Sequence, residues 1–391
     1  MKVVIVGAGI AGLSLAIGLK RQGFEPHLYE RRSRSDFAEG LFLTITANGL
    51  RALKELGLLD AVLEKHTYPT PRLRFLGSTG KRLGTVSNGW LDGTYPSFTI
   101  FHRDLRAALE AVAIQLGIDV TYNADLASCR WLDDRVQATF AEGETISGDL
   151  LVGADGIGSR VRPYVVGTDY YPLPIGLTNV GGELNASWCS STPGTMNLLW
   201  GRRAFFGYHV DRTGHAIWFA NVPNHVVGAT DCSSEKLQHT LRTQLALLFR
   251  DDTEIAEAMI RNTEAILTYP IEELPPLPTW VHGRIVLIGD AAHAVSPSTG
   301  QGASLAVEDA LALTSCLVEE ESVQTALDRF QRLRMPRTER IHALGRQWSR
   351  SKVLESRIAA WSRELFMPWV LRLTANRDSM RWLHDYSVAE S

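Results

Sequence analysis

The chain has 391 residues, of which 45% are hydrophobic and 21% are charged, and its formal net charge is −3. A chain of this length and ordinary composition is expected to form two intertwined globular domains. The small negative charge argues against general nucleic-acid binding, and no apolar run reaches the length of an integral membrane segment. The four cysteines form no CxxC pair, which excludes a redox dithiol and a cysteine-rich zinc site, and we expect free thiols in the cytoplasm.

The N-terminal segment predicts a βαβ unit. Residues 2–6 are apolar and largely β-branched, which indicates a buried parallel strand. Residues 10–22 have the apolar periodicity of a helix, and residues 24–29 indicate a second strand. A strand, a helix and a strand in this order, within about 30 residues, are typical of a nucleotide-binding fold.

Three glycines connect the first strand to the helix. Gly7 allows a tight turn, Gly9 lets a pyrophosphate approach the backbone, and Gly12 permits close packing of the helix on the strand. Glu30, at the end of the second strand, can bind both ribose hydroxyls of an adenosine, and its charge would repel the 2′-phosphate of NADP. The motif predicts a dinucleotide site but does not separate FAD from NAD.

The middle of the chain alternates between helical and β-rich segments. Helices are expected over residues 48–57 and 102–116. Between them, residues 66–99 are rich in Pro, Gly and Thr and look like an inserted lobe. Residues 170–277 contain short strand candidates with aromatic side chains and predict a mostly antiparallel β lobe.

These patterns divide the chain into three units, and the arginine-rich segment 329–363 stands out near the end. The expected boundaries are 1–65, 100–169 and 278–345 for a discontinuous nucleotide-binding domain, 66–99 and 170–277 for a substrate-binding β lobe, and 346–391 for C-terminal helices. The arginine-rich segment predicts a solvated helical face, with an anion-binding or membrane-surface patch as the alternative.

A second glycine-rich segment follows the strand expected at residues 150–152. Residues 153–162 read Gly-Ala-Asp-Gly-Ile-Gly-Ser-Arg-Val-Arg and contain Asp155 and Gly156. Because Asp-Gly pairs also occur in plain turns, this segment by itself leaves a turn and a nucleotide contact as alternatives.

A third segment joins the β-branched strand 285–288 to a helix expected over residues 303–320. Its loop carries Asp290, which is placed to accept hydrogen bonds from a polyol. Gly300 and Gly302 let backbone N–H groups approach a ligand where the helix dipole favours negative charge. The segment therefore predicts a ligand with a polyhydroxyl chain and an anion-forming ring, such as reduced flavin. A plain strand–helix connection is the alternative.

In order and spacing, the three segments resemble those of the class A flavoprotein monooxygenases, the aromatic hydroxylases of the para-hydroxybenzoate hydroxylase and salicylate hydroxylase type. The resemblance implies an α/β fold, with a Rossmann-like FAD-binding domain, an inserted, mostly antiparallel β substrate domain and C-terminal helices. It also implies non-covalent FAD, with NADH or NADPH as co-substrate and O₂. The implied reaction is hydroxylation of a small aromatic or heteroaromatic substrate through a C4a-hydroperoxyflavin.

The resemblance also implies which residues contact the cofactors. The first segment and Arg103 would bind the ADP part of FAD, the Asp-Gly segment would contact FAD and NAD(P)H, and the third segment would contact the ribityl chain and the isoalloxazine. The expected contacts are Gly7, Gly9, Gly12, Glu30, Arg31, Arg103, Asp155, Gly156, Asp290, Gly300, Gln301 and Gly302. Phe42 and Ala47 stand where relatives often have glycine and proline, which bears on the backbone path beside the flavin and on the shape of the substrate.

The implied chemistry needs a pocket without stray donors and a group that takes a proton from the substrate. Pro297 is rigid and lacks an N–H, so it can line the oxygen pocket without adding a donor. Tyr208 and His209 are candidate general bases in the predicted lobe. Arg203 can pair with a substrate carboxylate, and Trp218 can form a pocket wall. For each lobe residue, an ordinary strand position facing solvent or the core is the alternative.

Other functions share these motifs. A flavin reductase or dehydrogenase that inserts no oxygen would keep them, and so would a non-catalytic FAD-binding sensor. A flavin-dependent halogenase is disfavoured because its Trp-x-Trp-x-Ile-Pro signature does not occur in the chain. We expect no metal site, no nucleic-acid partner and a monomer or homodimer.

Overall fold

The computed structural model of the chain contains two large β-sheets joined by helices. It describes residues 1–37, 40–89, 96–228, 235–350, 365–369, 371 and 380–388. In chain order, the strands are β1 (Lys2–Val6), β2 (Glu25–Tyr29), β3 (Phe42–Ile45), β4 (Tyr68–Pro69), β5 (Arg72–Gly77), β6 (Arg82–Ser87), β7 (Phe98–Phe101), β8 (Val120–Thr121), β9 (Leu126–Leu132), β10 (Arg135–Phe140), β11 (Thr145–Gly148), β12 (Leu150–Gly153), β13 (Leu173–Asn185), β14 (Thr195–Trp200), β15 (Phe205–Val210), β16 (His215–Pro223), β17 (Leu267–Glu273), β18 (Val281–His282) and β19 (Ile285–Leu287).

The helices lie between these strands and at the C-terminal end. In chain order they are α1 (Ile10–Arg21), α2 (Ala47–Glu55), α3 (Leu59–Leu63), α4 (His102–Gln115), α5 (Arg162–Val166), α6 (Asn224–Val227), α7 (Glu235–Phe249), α8 (Glu254–Arg261), α9 (Asp290–His293), α10 (Gly302–Glu319), α11 (Val323–Arg350) and α12 (Arg381–His384). Short 3₁₀ turns occur at Arg34–Phe37 and Pro297–Thr299.

The six-stranded sheet forms the nucleotide-binding half of the molecule. Its order is β18-β19-β12-β1-β2-β8, and all neighbours are parallel except β18 and β19. β1, β12 and β19 are buried along almost their whole length, as expected for central strands covered on both faces. Helices α1 and α10 pack together in the core that contains β1. The predicted α/β fold with a Rossmann-like unit is confirmed.

The seven-stranded sheet forms the second half. Its order is β17-β13-β16-β15-β14-β5-β6, and its neighbours are antiparallel except for β14 and β5. One face packs on α7 and α8, where the ring of Phe206 stacks on Trp218 at 5.3 Å and meets Phe249 of α7 edge-on. The opposite face lines a cleft that it shares with the nucleotide-binding sheet. The mostly antiparallel inserted unit is therefore confirmed as well.

Two smaller antiparallel sheets complete the fold. β9, β10 and β11 form consecutive hairpins that lead into β12. The strand order β3-β7-β4 places Phe42 of β3 beside Phe101 of β7, with their ring centroids 6.3 Å apart. This small sheet brings Phe42 to the wall of the cleft.

A buried network of charged side chains joins α10 to α11. Glu308 and Asp309 of α10, and Arg334 and Arg337 of α11, are all largely or fully buried. The Glu308 carboxylate lies 2.7 Å from Arg334 and 2.9 Å from Arg337. Arg334 also donates a hydrogen bond of 2.7 Å to Asp309. Burial acts to raise the pKa of Asp309, but His293 and Arg334 outweigh it and hold the pKa at about 2.

The network corrects the expectation for the arginine-rich segment. Arg334 and Arg337 do not belong to a solvated face, because each has its counter-charge on α10 and is enclosed when the two helices pack. Arg329, by contrast, is partly exposed and pairs with acidic residues at the end of α10. The part of this segment beyond residue 350 lies outside the described residues.

The C-terminal part is helical over α11, residues 365–369 and α12. Arg337 donates hydrogen bonds of 3.0 Å to the carbonyl oxygens of Trp382 and Leu383, so the same arginine that pairs with α10 also holds α12. Within the described ranges, none of the helices combines the length and the apolar character needed to cross a membrane.

His384 of α12 is a buried imidazole. Its side chain is 5% exposed, and its Nδ1 atom has no hydrogen-bond partner among the described residues. Burial lowers the pKa of His384 to about 4, and the nearby charge of Arg337 acts in the same direction. Burial also lowers the pKa of His102 and of His209. We conclude that these imidazoles are neutral in the folded protein at pH 7.

We predict that Glu308→Gln destabilises the protein strongly. The amide removes the negative charge that compensates Arg334 and Arg337, and breaking a buried ion pair costs about 3–5 kcal/mol of unfolding free energy. The matched control Glu319→Gln removes an exposed partner of Arg329, where the cost is below about 1 kcal/mol. Denaturant unfolding followed by circular dichroism measures both, and equal losses would contradict the role of burial.

We also predict that the unfolding free energy falls as the pH is lowered from about 6.5 to about 4. In this window the unfolded chain binds a proton at His384, whereas the folded protein does not. In the wild-type protein, this difference in proton binding lowers the unfolding free energy by at most about 3 kcal/mol at pH 4. His384→Asn removes this loss, so the pH profile of the variant is flatter. Unfolding curves of both proteins at several pH values test this. An unchanged slope in the variant would refute it.

Candidate active site

A cleft of about 1140 Å³ lies between the two large sheets. On the nucleotide-binding side it is bounded by the C-terminal ends of β1 and β12, the two strands from which the sheet extends in opposite directions. Open α/β sheets bind ligands at this kind of position. Because a pocket for one ligand is typically about 300–1,000 Å³, the cleft has room for a cofactor and a second molecule.

The three glycines of the first motif have different surroundings. A Cβ atom at Gly7 would lie 2.3 Å from the carbonyl oxygen of Ala154, and one at Gly12 would lie 1.9 Å from the carbonyl oxygen of Gly7. Gly9 lines the cleft, and a Cβ atom there would meet nothing within 4 Å. Gly7 and Gly12 therefore allow β1, α1 and β12 to pack closely, and Gly9 leaves the backbone open to a ligand.

Two helices begin at the cleft without side-chain caps. The N-cap of α1 is Gly9, which has no side chain. The N-cap of α10 is Gln301, whose side chain forms no capping hydrogen bond. The first turns also contain no acidic residue. The N–H groups of these turns and the positive ends of both helix dipoles are therefore available to negatively charged groups in the cleft.

Glu30 lies at the end of β2 and also lines the cleft. One of its carboxylate oxygens accepts a hydrogen bond of 2.9 Å from the backbone N–H of Ala8. The other accepts a hydrogen bond of 2.9 Å from the backbone N–H of Arg32. These two bonds fix the orientation of the carboxylate, and each oxygen keeps a further lone pair. Arg31 lines the same end of the cleft.

Asp155 closes a tight loop after β12. Its carboxylate accepts hydrogen bonds from the N–H groups of Arg160, at 2.7 Å, and Val161, at 3.2 Å. Burial raises the pKa of Asp155, although these bonds oppose the shift. Gly156, at φ +77°, faces the cleft with open space where a side chain would be. The loop is thus shaped by Asp155 and exposes backbone at Gly156.

Arg162, the last residue of the second motif, connects this loop to the third motif. Its guanidinium donates to the carbonyl oxygens of Ile157, at 2.7 Å, Tyr170, at 3.1 Å, and Ala291, at 3.2 Å. The side chain is buried. Arg162 therefore links two loops that both line the cleft through hydrogen bonds to their carbonyl oxygens.

Asp290 is held at the cleft by the buried ion network. The N–H of Gly289 donates to Asp309 at 2.9 Å, and Nε2 of His293 lies 2.5 Å from the same carboxylate oxygen, so both ends of α9 are attached to α10. The Asp290 carboxylate faces the open cleft, and the protein around it raises its pKa by burial. Among the described residues, none forms a hydrogen bond with this carboxylate, which is therefore available as an acceptor for ligand hydroxyls.

The side chain of Gln301 points away from the cleft. Its Nε2 donates to Oγ1 of Thr46 at 3.1 Å, and its Oε1 accepts from Nδ2 of Asn48 at 2.9 Å. The same Asn48 amide donates to Glu308 at 2.7 Å. The Gln301 side chain is therefore bound within the protein, and the cofactor contact expected at Gln301 stays a prediction for the helix start. The neighbouring Gly300, at φ +61°, does line the cleft, as do Pro297 and Gly302.

Arg103 is also directed away from the cleft. Its guanidinium pairs with Glu183 of β13 at 3.0 Å and lies 4.1 Å from the centre of the Phe101 ring. The preceding residue, His102, lines the cleft instead. In this conformation Arg103 is not placed for the predicted contact with a phosphate.

The pleat of the β lobe decides which aromatic residues reach the cleft. Tyr208 and Trp218 lie on the face that packs against α7 and α8, where Nε1 of Trp218 donates to Thr263 at 2.8 Å. Phe205 and Phe219, on the opposite face, line the cleft. The alternation of the strands predicts that one set faces the cleft, but the identity of that set depends on tertiary packing.

His209 and Arg203 do not line the cleft either. His209 is 2% exposed, and its Nδ1 donates to the carbonyl oxygen of Thr195 at 3.0 Å. Arg203 is half exposed and forms an ion pair with Asp251 in the loop before α8. Its charge is therefore satisfied away from the cleft, and the structure provides no pairing of Arg203 with a substrate carboxylate.

Two buried side chains that shape the site were not among the residues expected from the sequence. Arg106 of α4 donates to the carbonyl oxygen of Ala8 at 3.1 Å and to Glu110 at 2.9 Å, which steadies the loop of the first motif. Asp309 ties Gly289 to α10. The i,i+4 spacing of Arg106 and Glu110 was visible in the sequence, but their burial was not.

Known proteins resemble this chain in sequence and in fold. A model of an FAD binding domain matches residues 1–173 and 277–344. The aurachin C monooxygenase/isomerase of Stigmatella aurantiaca is 30% identical over 94% of each chain. The 3-hydroxybenzoate 6-hydroxylase 1 of Aquipseudomonas alcaligenes is 29% identical over 88% of this chain and 87% of that protein.

The fold is also similar to that of Klebsiella pneumoniae HpxO in its crystal structure with FAD and uric acid. The TM-score is 0.86 at 23% identity, and the match covers 98% of this chain and 97% of the other. The family resemblance and the cofactor expected from the three motifs are both confirmed. This chain belongs to the FAD-binding-domain family and is a class A flavoprotein monooxygenase.

Proposed function

We propose that this monooxygenase hydroxylates an aromatic or heteroaromatic ring in the cleft, with NADH or NADPH as electron donor. The observation that carries the proposal is the uncapped start of α10, which lines the same cleft as Asp290 and a group of aromatic side chains. Such a site can hold an anion-forming ring and place a second ring against it. The names of two similar proteins, a 3-hydroxybenzoate 6-hydroxylase and an FAD-dependent urate hydroxylase, support this class.

We assign the two ends of the cofactor to the two uncapped helices. The start of α1, beside Gly9, would hold the diphosphate, and Glu30 would bind the adenosine ribose. Asp290 accepts hydrogen bonds from the ribityl hydroxyls. FAD, when bound, supplies transfer of electrons from the nicotinamide and activation of O₂.

The residues proposed to surround the flavin ring, at the start of α10 and in the loop before it, have complementary roles. The N–H groups at the start of α10 stabilise negative charge that develops on the ring. Pro297 and Gly300 close the neighbouring wall, and Pro297 adds no N–H that could donate a proton there. The apolar side chains of the lobe exclude water from the reacting atoms.

The size of the cleft favours an enzyme over an FAD-binding sensor. A sensor needs room for its cofactor alone, whereas this cleft continues between the β lobe and the C-terminal helices. We further propose that the protein acts in the cytoplasm as a monomer or homodimer. The described cysteines, Cys129, Cys189 and Cys316, are free thiols, which agrees with a reducing compartment.

The proposed reaction is tested by following the oxygen atom. We expect an aromatic substrate to stimulate NADH or NADPH oxidation by the purified holoenzyme, and the product to carry one atom of ¹⁸O when ¹⁸O₂ is supplied. Substrate-stimulated oxidation that yields only hydrogen peroxide would support an oxidoreductase without oxygen insertion. A complete lack of stimulation across an aromatic and heteroaromatic panel would support the sensor.

We predict that Asp290→Ala weakens FAD binding by about tenfold to a hundredfold, because hydrogen bonds to a charged acceptor contribute about 1.5–3 kcal/mol. The control Asp290→Asn keeps an acceptor oxygen at the same position and should lose less affinity. Titration of apoprotein with FAD, followed by quenching of flavin fluorescence, gives the dissociation constants. Equal constants for wild type and Asp290→Ala would remove the assigned role.

A further inference from the structure

Among the described residues, the charged side chains around the cleft lie in one half of the molecule. The charged side chains among the described residues that line the cleft are Glu30, Arg31, Arg32, Asp125, Asp155, Arg160 and Asp290. All of them belong to the nucleotide-binding half of the molecule. The β lobe and the described C-terminal helices contribute only neutral side chains to the wall, apart from His384, which is neutral at pH 7 because of its burial.

Four aromatic rings form a continuous wall on the lobe side. Phe42 meets Phe219 at 5.8 Å between ring centroids, Phe219 meets Phe205 at 5.9 Å, and Phe205 meets Trp200 at 5.3 Å. Gly207 makes room for this arrangement, because a Cβ atom there would lie 2.2 Å from the ring of Phe219. The wall is several rings long, which exceeds what a substrate with one ring can cover.

The ring of Phe42 lies in the cleft wall at a position where the family pattern has glycine. It stands where relatives often have glycine, and its ring occupies the junction between the small sheet and the β lobe. The side chain extends the aromatic wall toward the nucleotide-binding half of the cleft. The departure therefore changes the surface offered to the substrate.

The polar groups on this side are uncharged. Asn179 of β13 and Asn221 of β16 both line the cleft, and Nδ2 of Asn221 donates to Oδ1 of Asn179 at 3.1 Å. His384, on the C-terminal side, has an Nδ1 atom without a protein partner among the described residues. Amide and imidazole groups can orient a neutral substrate through hydrogen bonds, but they do not compensate a carboxylate as a guanidinium does.

We propose that the substrate of this enzyme is an uncharged aromatic or heteroaromatic compound with an extended apolar substituent, and not a small aromatic carboxylate. The inference rests on the proposed function and specifies its substrate. A carboxylate against the lobe wall would lose its water without gaining a cation, which is unfavourable. Arg203, the arginine expected to bind a substrate carboxylate, is paired with Asp251, and Arg103 is paired with Glu183.

Three compounds that share one ring test the proposal: 3-hydroxybenzoate, its methyl ester and its hexyl ester. Dissociation constants are measured from the change in absorbance of the bound flavin in the holoenzyme, which requires no turnover. We expect the methyl ester to bind at least about tenfold more tightly than the acid. The hexyl ester should bind more tightly still, by up to about fourfold for each methylene that the wall buries.

Leu198, on the cleft face of β14, provides a variant that should reverse the preference. Leu198→Arg supplies the missing cation, so the acid should bind at least about tenfold more tightly than it does to wild type. The control Leu198→Gln adds polarity without charge and should weaken the esters without improving the acid. Flavin content and circular dichroism confirm that each variant is folded.

Acid binding to wild type as tight as ester binding would overturn the proposal, and so would a folded Leu198→Arg that gains no affinity for the acid. Failure of the proposed function gives a different result. In that case the esters bind in the expected order, but no ¹⁸O from ¹⁸O₂ enters any product.

Discussion

Buried charges on two neighbouring helices determine the geometry of the cleft around Asp290 and the start of α10. Glu308 and Asp309 of α10 face Arg334 and Arg337 of α11, and the carboxylates reach further: Asp309 binds the N–H of Gly289, and Glu308 binds the amide of Asn48. Buried ion pairs add little net stability over apolar residues of similar size, whereas loss of one partner is costly. The network therefore acts mainly by permitting one arrangement of the loops that carry Asp290 and the start of α10.

The two halves of the cleft solve different electrostatic problems. The nucleotide-binding half must hold a diphosphate and a ring that becomes negative, and it offers uncapped helix N-termini and backbone N–H groups that suit negative charge. The lobe half must hold a second molecule in a dry environment, and it presents aromatic rings and neutral amides. Because charge is expensive in a low-dielectric region unless it is paired, confining the charged side chains to one end keeps the other end selective for neutral molecules.

Local chemistry explains why some predictions were accurate. Gly7 and Gly12 could be assigned before the fold was known, since a tight turn and a close helix–strand contact exclude a Cβ atom at those positions. The lobe residues could not be assigned in this way. Trp218 and Phe219 are adjacent in one strand, and only the packing of α7 and α8 on the sheet places Trp218 in the core and Phe219 at the cleft.

The sequence by itself determined the βαβ unit and the three motifs in their order, because these depend on short-range periodicity and on backbone positions that require glycine. The flavin cofactor and the family followed from the resemblance of these motifs to those of a known family. Tertiary structure alone decided where the charges are neutralised. Arg334 and Arg337 are buried in the folded protein, and the Gln301 side chain is hydrogen-bonded to Asn48. Partners distant in the chain meet only when helices and sheets pack, so no local pattern could reveal that the substrate side of the described cleft is lined by neutral side chains.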